Sequence, residues 1–240
     1  LSAYATCAQQ ANRVIDVVIE CDTGQKRAGV ETPNEAIKLI RRIHNDPWLQ
    51  FAGLLYYPSL DGWYDVQVFH DKMLSELKKI GIAINIVSTG GTPNFAHIGK
   101  LKGATEHRAG TCIFNDMMMV QNGFANLDDC AFHVFTSIVS RAGENRGILD
   151  AGSKTLTSDT GGLQGFGRII EHPCANIKKF SEEHGFLDFT DCIKKPNIGD
   201  ILRVIPNHVC VAVNMVDQLV AVRGEKIIDV VPVKARGKLL

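Results

Sequence analysis

The sequence "VIDVVIECDTGQKRAG" at residues 14–29 decides the class of fold. Its first eight residues form a largely apolar run rich in β-branched side chains, which is typical of a strand buried in a parallel sheet. A polar, glycine-containing loop follows, and then "TPNEAIKLIRRIHND" at residues 32–46. Thr32 and Glu35 have the spacing of a capping box and Pro33 suits the first helical position, so a helix is predicted directly after the loop.

The same order of strand and helix repeats along the first half of the chain. Further strands are predicted at residues 51–57, 82–88 and 110–114, and a long helix at residues 63–80, where apolar residues recur every three or four positions. The strands start roughly thirty residues apart, which is the spacing of (βα) units in a barrel or a doubly wound sheet. Four such units are half of an eight-fold barrel and cannot close by themselves.

The second half of the chain has a different pattern. Short alternating strands separated by Gly, Asn and Pro predict an antiparallel β-domain. One of these strands is predicted over "HVCVAVN" at residues 208–214, and a helical insert over "NIKKFSEEHGF" at residues 176–186. The predicted architecture is an α/β part at residues 1–128, a partial (βα) barrel, followed by an all-β part at residues 129–240.

Composition excludes several classes of protein. The 240-residue chain is 45% hydrophobic, and its 26 basic and 26 acidic side chains balance without a basic patch. This balance argues against nucleic-acid binding, which depends on positive charge. No apolar run approaches the roughly 20 residues that span a bilayer. Because the seven cysteines show no paired spacing, we expect reduced thiols and a cytoplasmic location.

The loop "STGGTPN" at residues 88–94 lies directly after a predicted strand and before a short helix. Glycines allow backbone N–H groups to approach an anion, and a helix N-terminus adds a favourable dipole. In barrel enzymes phosphate sites favour the last strand-to-helix loops. The loop is therefore a candidate phosphate site, although a tight turn without any ligand accounts for the same residues.

Two other strand ends carry candidate ligand-binding side chains. Arg27, after the first strand, is placed either to contact a bound cofactor or to lie on the surface in a charged loop. Tyr56 and Tyr57 end the second strand, where a phenol can face a ligand or pack against the sheet. The residues by themselves leave both pairs of alternatives open.

His208 and Cys210 lie two positions apart in a predicted strand, so their side chains would share one face of the sheet. They are a candidate metal pair, but structural zinc sites use four ligands, and two ordinary strand residues fit the same pattern. An open two-ligand site completed by water and substrate would be catalytic in character.

Lys154 is a candidate Schiff-base lysine, although its small polar neighbours favour a solvated or salt-bridged role.

Taken in order, several segments resemble the pyridoxal-phosphate enzymes of the D-threonine aldolase and D-serine dehydratase family. The matching segments are "ECDTGQKRAGV", "FAGLLYYP", "STGGTPN", "GTCIFND", "SIVSR", "DAGSKTLTSD", "EEHG" and "PNHVCVAVN", which extend over essentially the whole chain. The resemblance implies an alanine-racemase-like (βα)8 barrel joined to an antiparallel β-domain, normally as a homodimer.

The resemblance also implies roles for individual residues. His208 and Cys210 match the family's metal pair, which usually holds zinc in the dehydratases, whereas aldolases use other divalent ions such as manganese or magnesium. The residues that match the loop holding the cofactor phosphate are Ser88, Gly90, Gly91 and Thr92.

Three further positions match the surroundings of the pyridoxal ring in the family. Arg27 matches an arginine that approaches the ring hydroxyl, and Tyr56 or Tyr57 matches an aromatic position near the cofactor. Cys112 stands where relatives commonly have a tyrosine near the pyridine nitrogen. Since a thiol is shorter and a weaker hydrogen-bond partner than a phenol, the electronic tuning of the ring would differ here.

The catalytic lysine is the main departure from the family's pattern. The family's Schiff-base lysine lies near the start of its first barrel strand, and no residue of this sequence matches it. The sequence opens at Leu1 in helix-like "LSAYATCAQQAN", just before the segment that matches the fifth barrel strand. We therefore expect the sequence to be the C-terminal part of a longer enzyme, with the lysine upstream of Leu1.

The expected function is that of a pyridoxal-phosphate- and divalent-metal-dependent lyase acting on D-3-hydroxy amino acids. Imidazole and thiolate suit zinc, and a cysteine as second ligand favours a dehydratase over an aldolase. The expected partners are a small D-amino acid and a second copy of the chain, without nucleic acid or membrane. Two alternatives stay open: a non-catalytic or partner-dependent fragment, and an amino-acid racemase of the same fold.

Overall fold

The structure is a computed structural model that describes residues 1–238. The chain forms two compact units, Leu1–Gly110 and a second unit that begins at Thr111. The N–H groups of Met117 and Met118 donate to the carbonyl oxygens of Pro206 and Asn207 at 3.1 and 3.2 Å, which ties the segment after Gly110 to the second unit. The division of the units at residues 110 and 111 therefore precedes the change of sequence pattern at residues 128 and 129.

The first unit is a parallel sheet whose strands alternate with helices. The strands are β1 (Ile15–Cys21), β2 (Leu49–Tyr56), β3 (Ile86–Gly90) and β4 (Glu106–Arg108), paired in the order β1-β2-β3-β4. The helices are α1 (Ser2–Gln10), α2 (Pro33–His44), α3 (Trp63–Lys79) and the 3₁₀ helix Thr92–Lys100. All three strand pairings are parallel, so the predicted alternation of strands and helices is confirmed.

No helix in residues 1–238 combines the length and apolar character that crossing a bilayer requires.

Helix α2 illustrates how local signals build this unit. Thr32 Oγ1 accepts the Glu35 N–H at 3.3 Å, and Glu35 Oε2 accepts the Thr32 N–H at 3.0 Å, which completes the predicted capping box. The face that carries Ile37, Ile40 and Ile43 is buried. Burying one such side chain contributes about 1.5–3 kcal/mol, whereas a cap contributes about 1 kcal/mol. Packing against the sheet therefore supplies most of the stability of this helix.

The strand predicted at residues 110–114 is wrong. The fourth strand of the sheet is β4, and the predicted segment contains the 3₁₀ helix Thr111–Ile113 instead. Ser88 and Gly90 of β3 pair with Glu106 and Arg108, so the pairing ends before Gly110. The side chain of Ile113 is 70% exposed, and its apolar character therefore does not indicate a buried strand.

The second unit contains an antiparallel sheet of six strands and a separate hairpin. The strands are β5 (Val134–Arg141), β6 (Arg146–Leu149), β7 (Arg168–Ile169), β8 (Asn176–Phe180), β9 (Gly185–Asp188), β10 (Ile201–Ile205), β11 (Gln218–Arg223) and β12 (Lys226–Pro232). The sheet order is β7-β10-β5-β6-β9-β8, and β11 pairs with β12. The helices are α4 (Met117–Gln121), α5 (Ser153–Leu156), α6 (Val209–Asn214) and the 3₁₀ helices Thr111–Ile113 and Leu127–Asp129. The predicted antiparallel character of this half is confirmed.

The helical insert predicted at residues 176–186 is also wrong. These residues form most of the hairpin of β8 and β9, with a turn in which the Ser181 N–H donates to the His184 carbonyl oxygen at 2.9 Å. Ile177 and Leu187 are cross-strand partners, and both are buried in the core of the unit. The lysines and glutamates that suggest a helix are exposed, so tertiary burial of the two apolar side chains overrides local composition.

Cys174 and Cys192 form a disulfide in the second unit. The prediction that all cysteines are reduced is therefore wrong for this pair. The two residues lie 18 positions apart, in separate turns where Ala175 N–H donates to the His172 carbonyl and Cys192 N–H to the Phe189 carbonyl. Sequence spacing does not reveal such a pairing, because it depends on where the fold places the two turns.

Candidate functional site

The glycine loop at the carboxyl end of β3 is a cradle that side chains cannot fill. A Cβ added to Gly90 would lie 2.7 Å from Arg108 Nη2, and one added to Gly91 would lie 3.0 Å from Tyr57 Oη. Gly91 has a φ of +99°, a conformation that favours glycine. The backbone at Gly90 and Gly91 therefore lies directly against the side chains of Arg108 and Tyr57, at a distance that no other residue type allows.

The cradle is held in place from behind by hydrogen bonds to β4 and its neighbours. The Gly91 N–H donates to the Arg108 carbonyl oxygen at 2.9 Å, and the Gly91 carbonyl accepts the Asn94 N–H at 3.0 Å. His107 Nε2 lies 3.1 Å from the same carbonyl, and its Nδ1 lies 2.7 Å from Thr89 Oγ1. The loop is therefore preorganised by β4.

Ser88 and Thr92 differ in how their hydroxyl groups are used. Ser88 is buried, and its Oγ donates to Glu106 Oε1 at 2.5 Å and accepts from Arg108 Nη1. The Thr92 Oγ1 atom is buried and has no hydrogen-bond partner among the described residues 1–238. A buried hydroxyl without a partner is costly, so Thr92, rather than Ser88, offers an unused polar group in the cradle.

Of the two tyrosines that end β2, Tyr57 is the one beside the cradle. The Arg27 guanidinium lies 4.6 Å from the centroid of the Tyr57 ring, and Arg27 also lies 3.5 Å from Glu20 Oε1. Tyr56 is fully buried and its Oη lies 3.2 Å from His70 Nδ1. Burial raises the pKa of Tyr56 and lowers that of His70, as expected for two neutral core residues.

Arg108 is a residue that sequence reasoning missed. Its guanidinium donates to Ser88 Oγ and to the Tyr56 carbonyl oxygen, the latter at 3.2 Å, and borders Gly90. Burial lowers its pKa from the usual value. The signal was the position of "EHR": once this segment is assigned as a strand, Arg108 falls at its carboxyl end, where parallel sheets bind ligands.

The predicted strand at residues 208–214 is wrong, because Val209–Asn214 is helix α6 and His208 is its N-cap residue. The alternation in "HVCVAV" has the period of a strand, but Val209 and Ala212 are buried at helical spacing.

The side chains of His208 and Cys210 nevertheless interact. Cys210, followed by Asp159, raises the pKa of His208 to about 9, and His208 lowers the pKa of Cys210. This pairing favours the thiolate, the form of cysteine that binds metal.

The backbone around His208 is clamped by the start of α4. The buried Asp116 carboxylate accepts the Met119 N–H at 3.0 Å and the Val209 N–H at 2.9 Å. In return, the α4 residues Met117 and Met118 donate to the carbonyls of residues 206 and 207. Asp116 thus fixes the N-termini of both helices, and with them the position of the pair.

Two side chains contact the pair from other loops of the second unit. Asp159 Oδ2 lies 2.5 Å from His208 Nδ1, and Thr111 Oγ1 lies 3.5 Å from Cys210 Sγ. Sequence reasoning missed both, and the only local signal was a polar, glycine-rich loop around Asp159. Within residues 1–238, no group of three or more His, Cys, Asp or Glu side chains forms a metal-ligand set.

Two further sequence candidates, Lys154 and Cys112, belong to the second unit. Lys154 is exposed and its Nζ is paired with Glu182 at 2.7 Å and Glu183 at 2.8 Å, which agrees with the salt-bridged interpretation. Cys112 has an exposed thiol in the second unit.

Comparison with known proteins covers both units. The model described as "Putative serine dehydratase domain" matches residues 131–222, and that of "Alanine racemase, N-terminal domain" matches residues 1–117. D-threonine aldolase from Arthrobacter sp. is 29% identical over 252 residues, which cover 99% of this chain and 65% of that protein. The chain belongs to the D-threonine aldolase and D-serine dehydratase family. This chain spans about two thirds of the length of the Arthrobacter aldolase.

Other relatives support the same family. An uncharacterized protein of Mycobacterium bovis is 40% identical over 131 residues, which cover 52% of this chain and 98% of that protein. D-threo-3-hydroxyaspartate dehydratase from Delftia sp. is 27% identical over 237 residues, covering 87% and 62% of the two chains. The structure of D-threonine aldolase from Filomicrobium marinum matches with a TM-score of 0.87 and 26% identity over 98% of this chain and 67% of that one. The fold is alanine-racemase-like, as the resemblance implied.

We expect Asp116→Ala to lower the free energy of unfolding by about 2–6 kcal/mol, because two buried backbone N–H groups would lose their acceptor at about 1–3 kcal/mol each. Urea denaturation followed by circular dichroism measures the change. Asp128→Ala, at an exposed carboxylate of the same unit, is the control and should change little. Equal stability of the two variants would contradict the clamping role.

Proposed function

We propose that this chain provides the cofactor and metal sites of a pyridoxal-phosphate- and divalent-metal-dependent lyase acting on D-3-hydroxy amino acids. The observation that carries the proposal is the glycine cradle at the carboxyl end of β3, beside Tyr57 and Arg108. Family membership supports it, since relatives are named D-threonine aldolase and D-threo-3-hydroxyaspartate dehydratase. The substrate would be a small D-amino acid and the assembly a homodimer.

The cradle fits a phosphate group. An anion placed against Gly90 and Gly91 would accept a hydrogen bond from the Thr92 hydroxyl, which has no partner among the described residues. The Arg108 guanidinium, next to Gly90, would add a favourable charge. Ser88 would contribute indirectly, because its hydroxyl already holds Arg108 and Glu106.

The ring-facing roles follow from the family resemblance. Arg27 would approach the ring hydroxyl, and Tyr57, which lies between Arg27 and Gly91, would be the aromatic neighbour. By the same resemblance, Cys112 matches the family position near the pyridine nitrogen. When bound, pyridoxal phosphate supplies the electron sink, and the protein supplies binding, orientation and charge.

His208 and Cys210 fit a divalent ion by the chemistry of their donors. Imidazole nitrogen and thiolate sulfur are preferred zinc ligands, and fewer than four protein ligands leave positions for water or substrate. A bound ion would supply a Lewis acid for the 3-hydroxyl group of the substrate. The related Delftia dehydratase has solved alanine variants at a histidine and at a cysteine two positions apart, the cysteine variant in the metal-free form. That spacing is the spacing of His208 and Cys210.

The first unit would be the later half of a (βα)8 barrel. Its sheet has four parallel strands, with β1 and β4 as its edges within residues 1–238, and four strands do not close a barrel. Lys154 is exposed and ion-paired in the second unit, which argues against it as the Schiff-base lysine.

Activity assays on the protein supplied with pyridoxal phosphate and zinc test the proposal. A dehydratase converts D-serine to a 2-oxo acid and ammonia, whereas an aldolase converts D-threonine to glycine and an aldehyde. The cysteine ligand favours the first, and a chelator should abolish either. Racemisation that survives the chelator would favour a racemase, and binding of both groups without turnover would favour a partner-dependent fragment.

Gly91→Ala should weaken binding of pyridoxal phosphate by at least about tenfold, because a Cβ would strain the positive φ and crowd the Tyr57 hydroxyl. Equilibrium dialysis against pyridoxal phosphate and against pyridoxal separates the phosphate contribution from that of the ring. The matched control is Gly99→Ala, where an added Cβ meets nothing within 4 Å. Wild-type affinity of Gly91→Ala, or an equal loss in both variants, would contradict the phosphate cradle.

His208→Ala should abolish zinc retention while leaving the fold largely intact, because one of two protein ligands is lost and the side chain is partly exposed. Metal content after gel filtration, measured by mass spectrometry, should fall from about one ion per chain to near zero. His184→Ala, at an exposed histidine of the same unit, is the control. Retention of the ion in the His208 variant would remove the proposed metal site.

A further inference from the structure

The His208 ring is held by a carboxylate on one side only. Asp159 Oδ2 lies 2.5 Å from Nδ1, and the two residues are 49 positions apart in sequence. An imidazole has two nitrogens, and in the neutral form only one carries a proton. A carboxylate at Nδ1 therefore keeps a proton there, so that Nε2 is the nitrogen that gives up its proton to a metal ion.

The loop that presents Asp159 is fixed by its own hydrogen bonds. The Asp159 N–H donates to Thr157 Oγ1 at 3.1 Å, and Asp159 Oδ1 accepts the Gly161 N–H at 2.9 Å. Thr157 is buried and has a φ of +67°, which is strained for a β-branched residue. Such strain persists only where surrounding structure fixes it, and it clusters at functional sites. The carboxylate is thus held in position by its own turn.

We propose that Asp159 is a positioning residue of the metal site, which accepts the Nδ1–H of His208 and thereby aims Nε2 at a divalent ion shared with Cys210. The inference rests on the proposed metal site of His208 and Cys210. It assigns to this chain the carboxylate–histidine–metal arrangement, in which the partner behind the histidine fixes the tautomer and raises the basicity of the ligand.

The same geometry argues that Asp159 supports the ligand and is not itself a ligand. Both of its carboxylate oxygens are already used, Oδ1 by Gly161 and Oδ2 by His208. The described residues also contain no convergent set of three acidic, histidine or cysteine ligands, as direct coordination by Asp159 would require.

Zinc affinity of the purified chain, measured by competition with a chromophoric chelator, tests the role of Asp159. Asp159→Ala should bind zinc about 10- to 100-fold more weakly, the usual cost of losing such a partner. Asp159→Asn should lose less, because its amide oxygen can still accept the Nδ1–H without the charge. Asp191→Asn, at an exposed carboxylate of the same unit, is the control and should match wild type.

A second readout reports the Nδ1 proton directly. Nitrogen-15 correlation spectra of the zinc-loaded chain should show a His208 Nδ1–H signal in wild type and in Asp159→Asn, and loss of that signal to exchange with water in Asp159→Ala. If the alanine variant folds poorly, the zinc affinity of the nearly isosteric Asp159→Asn decides the case, because it should still be lower than that of wild type.

The outcomes separate this inference from the proposed metal site. If His208→Ala loses zinc while both Asp159 variants bind it like wild type, the positioning role is overturned and the metal site stands. If X-ray absorption shows one oxygen ligand fewer in Asp159→Ala, Asp159 is a direct ligand and the inference is also wrong. If His208→Ala itself binds zinc like wild type, the proposed metal site fails.

Discussion

The buried carboxylate of Asp116 is the contact on which the second unit's candidate site depends. It accepts backbone N–H groups from the starts of α4 and α6, although Asp116 and Val209 are 93 positions apart. Burying a carboxylate is costly unless its hydrogen bonds are satisfied, so both helices must begin where they do. The position of His208 as N-cap, and of Cys210 in the first turn, follows from that constraint.

In the first unit, the topology of the parallel sheet determines where the candidate site lies. In a parallel sheet the carboxyl ends of successive strands meet at one edge, so loops from β1, β2 and β3 supply Arg27, Tyr57 and the glycine pair. Hydrogen bonds from β4 hold the glycine pair in place. Arg108 at the end of β4 then joins Ser88 to the Tyr56 carbonyl. Topology thus places the proposed cofactor residues, whereas a specific buried carboxylate places the proposed metal pair.

The parts of the fold that could be predicted from sequence are those with strong local signals. The capping box at Thr32, the β-branched run of β1 and the apolar stripe of α3 each specify an element within one stretch of chain. The glycine loop and the pair His208 and Cys210 could be singled out as candidates because each lies within one short motif of the sequence.

The failures share a physical cause, which is that contacts distant in sequence decided the outcome. Alternation in "HVCVAV" predicts a strand, but the Asp116 carboxylate caps a helix there. Lys- and Glu-rich residues 176–186 predict a helix, but burial of Ile177 against Leu187 makes a hairpin. Period-two alternation puts Tyr56 and Tyr57 on opposite faces without saying which is inside. Nothing near His208 in sequence indicates that Asp159 lies against its ring.

The central claim is that one divalent ion is held by the His208 imidazole and the Cys210 thiolate. Anomalous diffraction at the zinc edge, from crystals grown with zinc and pyridoxal phosphate, tests it most directly. The account predicts an anomalous peak about 2.3 Å from Cys210 Sγ and about 2.0–2.1 Å from His208 Nε2. A zinc peak bound elsewhere, with these two side chains uncoordinated, would contradict it.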